Sequence, residues 1–578
     1  MSAMSKPVVE GPITGGVHGW PFARPLFDLS EHGYVEEEFF LTGDATTYRQ
    51  APGTDWGRDG RWTREPNGVV LFRTRFIVYR PADPERFNHT VVVSWNNVTA
   101  GYELFGGESP EIFEGGYAFV GATVQHVGVH GFPSNSQGLM AWDPVRYGTL
   151  SIPTDDVSYD IFTKVARVVG PDRDRDGVDP LGGLDVRKVI ALGASQSAGR
   201  LATYVNAIHP VERAYDGYFL QIYFGAGYPL EVGDGIININ EPPKPGAPTP
   251  RAGLGGTNII REDLDVPVMV VNSELEAISC VGVRQPDTDL FRYWECAATS
   301  HGSFQAAVPR AQKYERDFGR PAPLLEKMNR IPLTPLYDAA LHHLNRWVGG
   351  GAPPPSQPLI DFSGDPPEVV RDERGIATGG IRYPQAEVPI AQNSAIPLGP
   401  GTLLLLRGSS VPFDAATLDA LYNDEAAYIE KFTAAALSAE KAGVLLPRDV
   451  EPLVLAAHGE YRRVRHNENT RTRLCRPHRP GPRRPTSAFG VFVARGQQRA
   501  RAGPSRAVKL ERMVDLEDVR AQLRIAADGL ADAAMDTLRA AMRTRDQDEI
   551  NDLKAKEKRI TRARRSVEKA VSLLDGRD

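Results

Sequence analysis

The sequence predicts an α/β fold, with a mostly parallel central sheet flanked by helices and a helical extension on the C-terminal side. Short runs of β-branched and aromatic residues recur along the first half of the chain, and amphipathic helical patterns separate several of them. The chain has 578 residues, which is enough for one large domain with appended segments. These observations favour an α/β domain over an all-helical or all-β one.

The first predicted strands differ from the later ones. Residues 34–48 and 70–80 alternate polar and apolar side chains, which is typical of antiparallel strands at the start of a sheet. The runs that follow are apolar enough for buried strands, and they lie at 90–95, 117–125, 189–192, 217–225, 266–273 and 291–296. We predict helices over 158–170, 198–208 and 335–351.

The segment 186–210, VRKVIALGASQSAGRLATYVNAIHP, organises the domain. A buried strand runs into the small-residue turn GASQS at 193–197, and an amphipathic helix follows. This layout is typical of a nucleophile elbow, a sharp strand-to-helix turn that exposes a serine hydroxyl. We predict Ser195 as the nucleophile; a second frame centred on Ser197 would push the turn into the helix. The backbone N–H of Gln196 is the expected first oxyanion donor, at the positive end of the helix dipole.

A base and an acid follow the elbow, each after its own strand. His301 lies just past the strand 291–296 and is the predicted general base. Glu276 lies just past the strand 266–273 and is the predicted acid, with Glu274 as the alternative. Two further candidates for the acid are Asp287 and Asp289. The order serine, acid, histidine supports a catalytic triad, although each residue alone is compatible with a structural role.

The loop after the strand 90–95 is the expected place of the second oxyanion donor. It contains Asn96, Asn97 and Val98, and we predict that a backbone N–H in this group, with Asn97 and Val98 as the candidates, faces the oxyanion. The asparagines also suit a simple turn. A Gly/Pro-rich stretch within 226–262 is predicted to be a lid, and its isoleucines suit either a pocket wall or a short core strand.

Composition narrows the functional classes. The formal net charge is −6, so we expect no specific nucleic-acid partner, and no stretch is apolar enough for a membrane span. The N-terminus lacks the apolar core of an export signal, which favours a cytoplasmic protein. The three cysteines match neither a disulfide framework nor a zinc site, and the acidic loop 172–183 lacks the final glutamate of a calcium loop. We expect no metal and no organic cofactor.

The domain boundaries predicted from these patterns are as follows. Residues 1–465 form one domain, with the lid at about 226–262 and an extension at about 352–465 that contains a β-hairpin over 369–391 and two or three helices. Residues 466–507 are a disordered Arg/Pro-rich linker, and 508–578 are a helical hairpin or coiled coil that suits self-association. The abrupt change near 466 also raises the hypothesis of a reading-frame fusion.

Several separated motifs together resemble one protein family. They are YVEEEFFLTG, VVVSWNNVTAG, AWDPVRYG, GASQSAGRLATYVNAIHP, RQPDTDLFRYWECAATSH and GGIRYP. In this order they resemble the largely uncharacterised bacterial alpha/beta hydrolase domain family, over about residues 8–465. The resemblance implies an α/β-hydrolase fold and ester hydrolysis, with Ser195 matching the family's nucleophile and His301 its strand-end histidine. Glu276 fits less well, because the family often has aspartate there.

The sequence therefore predicts a serine hydrolase acting on a small-molecule carboxylic ester through an acyl-enzyme. Two alternatives remain open. One is an acyltransferase with the same triad, and the other is a non-catalytic α/β-hydrolase-fold protein that binds a ligand or partner.

Overall fold

The computed structural model describes residues 6–233, 236–240, 256–322, 327–397, 406–465, 556 and 558–563. Residues Met1–Pro397 and Leu406–Glu468 belong to one compact unit. A second unit comprises Leu398–Leu405 and Asn469–Asp578, and within it the described residues 558–563 are helical. The predicted linker 466–507 lies outside the described residues, and so does nearly all of the predicted helical segment 508–578.

The first unit is built on a nine-stranded sheet of described residues. Its strands are β1 (Val8–Glu10), β2 (Tyr34–Gln50), β3 (Arg64–Pro81), β4 (Thr90–Trp95), β5 (Ala118–Ala122), β6 (Lys188–Ala194), β7 (Gly217–Gln221), β8 (Val268–Ser273) and β9 (Phe291–Cys296). The spatial order is β1-β2-β3-β5-β4-β6-β7-β8-β9. The pairs from β1 to β5 are antiparallel, and those from β5 to β9 are parallel. The expected mixed sheet is confirmed.

Two small ladders and a set of α-helices accompany this sheet. The ladders pair β10 (Phe362–Ser363) with β11 (Glu368–Val369) and β12 (Ala391–Ser394) with β13 (Ser409–Pro412). The helices are α1 (Pro110–Glu114), α2 (His126–His130), α3 (Leu139–Trp142), α4 (Pro144–Tyr147), α5 (Ser158–Val169), α6 (Gln196–Thr203), α7 (His209–Glu212), α8 (Glu274–Cys280), α9 (Phe304–Phe318), α10 (Thr334–Val348), α11 (Pro384–Glu387), α12 (Ala415–Leu421), α13 (Glu425–Lys441) and α14 (Pro447–Arg465).

Helices cover both faces of the parallel strands, so alternate strand residues enter two different cores. In β4, Val91 and Val93 pack in the core that contains α5 and α6, whereas Val92 packs in the core that contains α10. The second core also contains apolar side chains of α12, α13 and α14. This two-sided burial explains why the parallel strands are continuously apolar in sequence, and it fixes their C-terminal ends at one edge.

The structure corrects two predicted elements. The predicted helix 198–208 begins at Gln196 instead, and after Thr203 it widens into a π-turn over Tyr204–Ile208. The predicted hairpin over 369–391 is much shorter in the structure: Arg371 and Ala377 form an antiparallel bridge, the Thr378 N–H donates to the Val370 carbonyl at 2.9 Å, and the helix α11 begins at Pro384. Its backbone instead extends the sheet edge through a parallel bridge between Ile381 and Cys296 of β9.

Candidate active site

Ser195 stands at the junction between β6 and α6, in a backbone conformation that non-glycine residues rarely adopt. Its φ is 61° and its ψ is −120°. The Ser195 N–H donates to the Gln221 carbonyl at the end of the neighbouring strand β7, at 2.9 Å. Such strain persists only where the surroundings hold it, and it is the conformation that presents a side chain above a sheet edge.

Two glycines allow this turn to form. A methyl group added at Gly193 would lie 2.7 Å from the Ser197 carbonyl oxygen and 2.9 Å from the Leu201 side chain. One added at Gly199 would lie 2.6 Å from the ring of Tyr228. Gly193 therefore lets the strand β6 approach α6 closely, and Gly199 lets the loop that carries Tyr228 pack against α6.

The two serines of GASQS have different environments. Ser195 is partly exposed, whereas Ser197 is fully buried in the first turn of α6. The Ser197 hydroxyl also has no hydrogen-bond partner within the described part of the chain. An acyl donor can approach a hydroxyl only from an accessible side, so the geometry favours the frame centred on Ser195.

His301 and Glu276 are in direct contact. The Nδ1–H of His301 donates to Glu276 Oε1 at 2.7 Å, and Glu276 is fully buried while the His301 side chain is 12% exposed. The second oxygen, Oε2, accepts from the backbone N–H of Ser273 at 3.2 Å and from the Ser273 hydroxyl. Both carboxylate oxygens are thus fixed, and the contact through Nδ1 directs Nε2 of the imidazole away from the acid.

The His301 ring lies toward the end of β7, the strand next to the one that carries Ser195. It stacks on Phe224, with 5.3 Å between the ring centroids, and Phe224 follows β7 by three residues. The His301 loop starts from β9 and therefore crosses back over the end of β8. Ser195 and His301 are not hydrogen-bonded to each other in this structure, and among the described residues Nε2 has no other hydrogen-bond partner.

Glu274, the alternative acid, makes different contacts from those of Glu276. Its carboxylate pairs with Arg371 at 2.5 Å and accepts the N–H of Ala298 at 2.8 Å. Ala298 itself has a φ of 61°, in the turn that leads from β9 to His301. Glu274 therefore supports the histidine loop without touching the imidazole. The Asp287 carboxylate accepts from the N–H of Tyr293.

The loop after β4 lies against the elbow. The side-chain amide of Asn97 donates to the Ala194 carbonyl at 3.0 Å, and its Oδ1 accepts the N–H of Thr99 at 2.8 Å. The backbone N–H of Asn96 is already bonded to the Ala122 carbonyl at 3.1 Å. In the described part of the chain the N–H groups of Asn97 and Val98 make no such bond.

A buried charge network anchors this loop to the antiparallel strands. Arg75 on β3 is fully buried and pairs with Glu38 of β2 at 2.7 Å and with Glu103 at 2.5 Å. Glu103 also accepts from the Asn96 side chain at 3.2 Å, and Arg146 pairs with Glu38 at 2.6 Å. The motifs YVEEEFF and AWDPVRYG supply Glu38 and Arg146, so both act in positioning the loop. Paired buried charges of this kind are costly to break, because the remaining partner is left uncompensated.

The short described piece of the predicted lid packs against the same loop. Asn238 donates to the Val98 carbonyl at 3.1 Å, and the Gln196 side chain donates to the Ile237 carbonyl at 3.3 Å. Ile236 packs against an apolar cluster that contains Val98. These isoleucines lie outside any strand, and residues 241–255 of the predicted lid lie outside the described residues.

The described residues contain neither a cluster of three metal-ligating side chains nor a helix with the length and hydropathy needed to cross a membrane. Cys280 and Cys296 are buried free thiols, and burial raises the pKa of both.

A family model described as "Alpha/beta hydrolase domain" matches residues 9–455, which include the elbow, the acid and the histidine. The chain belongs to this family. The match agrees with the order of strands along the sheet and with the helices on both its faces. Among curated proteins no relative matches.

The solved structures that the chain matches include several esterases, all at low similarity. The match to the esterase Est22 has 12% identity and a TM-score of 0.22, and it covers 42% of this chain and 65% of that one. The match to a Rhizomucor miehei esterase has 10% identity and a TM-score of 0.24, and it covers 55% of this chain and 85% of that one. The match to brefeldin A esterase, a bacterial homologue of human hormone sensitive lipase, has 12% identity and a TM-score of 0.21, and it covers 45% of this chain and 67% of that one. The chain spans less than two thirds of the length of Est22.

Proposed function

We propose that this α/β-hydrolase family member is a serine hydrolase that cleaves a small-molecule carboxylic ester. The observation that supports this most strongly is the contact between the His301 Nδ1–H and the buried Glu276 carboxylate, at the same edge of the sheet as the strained turn that holds Ser195. A buried carboxylate on Nδ1 fixes the tautomer in which Nε2 is free to accept a proton.

In the proposed reaction, His301 Nε2 takes the proton of the Ser195 hydroxyl as Oγ attacks the ester carbonyl carbon. The C–O bond to the alcohol then breaks, and the imidazolium returns its proton to the leaving alkoxide. Water repeats the sequence on the acyl-enzyme and releases the acid. Glu276 stabilises the imidazolium in both halves without itself becoming protonated.

The negative charge on the carbonyl oxygen needs donors that are in place before the reaction. We assign this role to the Gln196 N–H at the start of α6 and to the N–H of Asn97 or Val98. The Asn97 contact with Ala194 holds that loop against the elbow. Losing one such donor typically raises the barrier by about 3 kcal/mol.

The proposal is tested by covalent labelling with a fluorophosphonate probe, which reacts with activated serine nucleophiles. We expect the full-length protein to be labelled, Ser195→Ala to remain unlabelled, and Ser197→Ala to be labelled like the parent. Absence of labelling in the parent, or labelling that survives in Ser195→Ala, would refute the assignment. Product analysis in the presence of a primary alcohol then separates hydrolysis from acyl transfer to the alcohol.

A further inference from the structure

A cavity of about 230 Å³ lies beside the candidate active site. Its walls come from the ends of β6 and β7, the segment 102–109, and one face of α9 and α10. Two wall residues are in contact with the site itself. The Gln221 carbonyl accepts the Ser195 N–H at 2.9 Å, and the Leu104 N–H donates to the Asn97 carbonyl at 2.7 Å. A substrate bound at Ser195 would therefore have this cavity next to its reacting bond.

The helix α9 presents a stripe of charged and polar side chains to the cavity. They recur at the helical spacing of three, four and seven residues, so they share one face of the helix. They are Arg310, Lys313, Tyr314 and Asp317. The helix begins three residues after His301, which ties the cavity wall to the histidine loop.

The carboxylates that line the cavity are compensated by other groups. Three of them have cationic partners: Glu103 pairs with Arg75, Glu108 with Lys313, and Asp317 with Arg316. Asp338 is buried, and burial raises the pKa of its carboxyl to about 7, so near neutral pH a large fraction of it is uncharged. Glu103, Glu108 and Asp317 are therefore neutralised by other cations, and Asp338 carries at most a partial negative charge near neutral pH.

Arg310 is the exception in this lining. Among the described residues its guanidinium has neither an ion pair nor a hydrogen bond. Arg310 lines the cavity and is an exposed residue, so its guanidinium is accessible to a bound anion. Burial lowers the pKa of Arg407, and repulsion from the Arg310 charge adds to that effect. Because no carboxylate of the described residues pairs with it, this cation is available to an anionic ligand in the cavity.

We infer that the cavity binds a carboxylate of the substrate and that Arg310 is the residue that pairs with it. This inference rests on the proposed esterase function and narrows its substrate class to esters that carry one free carboxylate, such as half-esters of dicarboxylic acids. One uncompensated positive charge matches one carboxylate, and a guanidinium can donate two parallel hydrogen bonds to it. The apolar part of the wall, including Leu192 and Phe219, suits the short carbon chain between the two carboxyl groups.

Two pairs of synthetic esters test this inference. In the first pair the charge is on the acyl side: 4-nitrophenyl hemiglutarate is compared with the neutral 4-nitrophenyl valerate. In the second pair the charge is on the alcohol side: the butyrate ester of 4-hydroxybenzoate is compared with that of 4-hydroxybenzamide. For the full-length protein we expect the charged member of at least one pair to have the larger kcat/KM, mainly through a lower KM. Equal kcat/KM values within both pairs would overturn the inference.

Three variants locate the origin of that preference. Arg310→Gln should lower kcat/KM for the preferred charged ester by on the order of tenfold to a hundredfold, while kcat for its neutral partner changes less than about twofold. Arg310→Lys should retain part of the preference, because it keeps the charge but loses the bidentate geometry. The matched control is Arg187→Gln, which removes an exposed arginine paired with Asp185 on the surface. A preference that persists in Arg310→Gln, or that disappears in Arg187→Gln, would contradict the inference.

Direct binding separates failure of this inference from failure of the proposed function. Glutarate monomethyl ester is titrated into Ser195→Ala, and into the same variant with Arg310→Gln, by calorimetry. Binding that depends on Arg310 supports the carboxylate site even if neither ester pair is hydrolysed, which would refute only the esterase. Hydrolysis of the neutral esters without Arg310-dependent binding or charge preference would refute only the carboxylate site.

Discussion

The substitution Glu276→Gln tests the assignment of the acid, because the structure gives the two neighbouring glutamates different partners. Glu276 Oε1 accepts from His301 at 2.7 Å, and its Oε2 accepts from Ser273. A glutamine must present its NH₂ group either to the imidazole N–H or to the Ser273 N–H, so one pair of donors faces each other. In addition, the imidazolium formed during the reaction loses its counterion. We therefore expect kcat/KM to fall by roughly a thousandfold to ten-thousandfold, or about 4–5.5 kcal/mol in the barrier.

Glu274→Gln is the matched control, because it changes the other buried carboxylate of the same helix. It breaks the pair with Arg371, which should destabilise the protein by about 3 kcal/mol and lower Tm. Since Glu274 supports the turn before His301 through Ala298, a small loss of kcat, less than about tenfold, is expected as well. Steady-state kinetics on 4-nitrophenyl esters and thermal unfolding measure both effects. If Glu274→Gln abolished activity in folded protein while Glu276→Gln stayed active, the assignment of the acid would be refuted.

Three further predictions concern the elbow, its neighbouring loop and the cavity. Asn97→Ala removes the bond to the Ala194 carbonyl, so kcat should fall by about tenfold with little change in Tm; unchanged kinetics would argue against this loop as an oxyanion donor. Gly193→Ala brings a methyl group to 2.7 Å from the Ser197 carbonyl and should lower Tm and expression strongly. A Tm equal to that of the parent would show that the turn tolerates a side chain. For Asp338, burial raises the folded-state pKa to about 7 from an ordinary value of 3.8. The stabilising contribution of its protonated form is therefore complete below about pH 4 and is lost as the pH rises toward and through 7. Between pH 5 and pH 8 the free energy of unfolding of Asp338→Asn should therefore rise relative to that of the parent, by up to about 4 kcal/mol. Denaturant unfolding of both proteins at the two pH values measures this difference. Parallel pH dependences of the two unfolding free energies would contradict it.

Strand positions were the most predictable part of the fold. The runs 90–95, 266–273 and 291–296 are buried on both faces, so their composition is continuously apolar and β-rich, and each forms the expected strand. The glycine-bounded turn after β6 was predictable for a related reason, because Gly193 has no space for a side chain. These features depend on local composition and steric limits, which a single sequence carries.

Features that depend on contacts between distant segments were not predictable. Helix α9 is the one miss with a local cause, because Pro309 lies inside it and an internal proline normally argues against a helix. The choice between Glu274 and Glu276 depends on which carboxylate faces His301 and which faces Arg371, a residue almost 100 positions away. The importance of Arg310 likewise depends on the absence of an acidic partner among the described residues around it, a property of the folded cavity and not of the local sequence. The predicted hairpin over 369–391 is confined to residues 370–378 for the same kind of reason, because Ile381 pairs with Cys296 of β9 instead.

The most direct test of the central claim is to trap the acyl-enzyme and locate the acyl group. The protein is mixed with 4-nitrophenyl acetate, quenched in acid within the first turnover, and examined by intact mass and peptide mapping. The account predicts a single added acetyl group, attached to the Ser195 side chain. An acetyl group on Ser197 or elsewhere, or ester turnover with no covalent intermediate on this peptide, would contradict it.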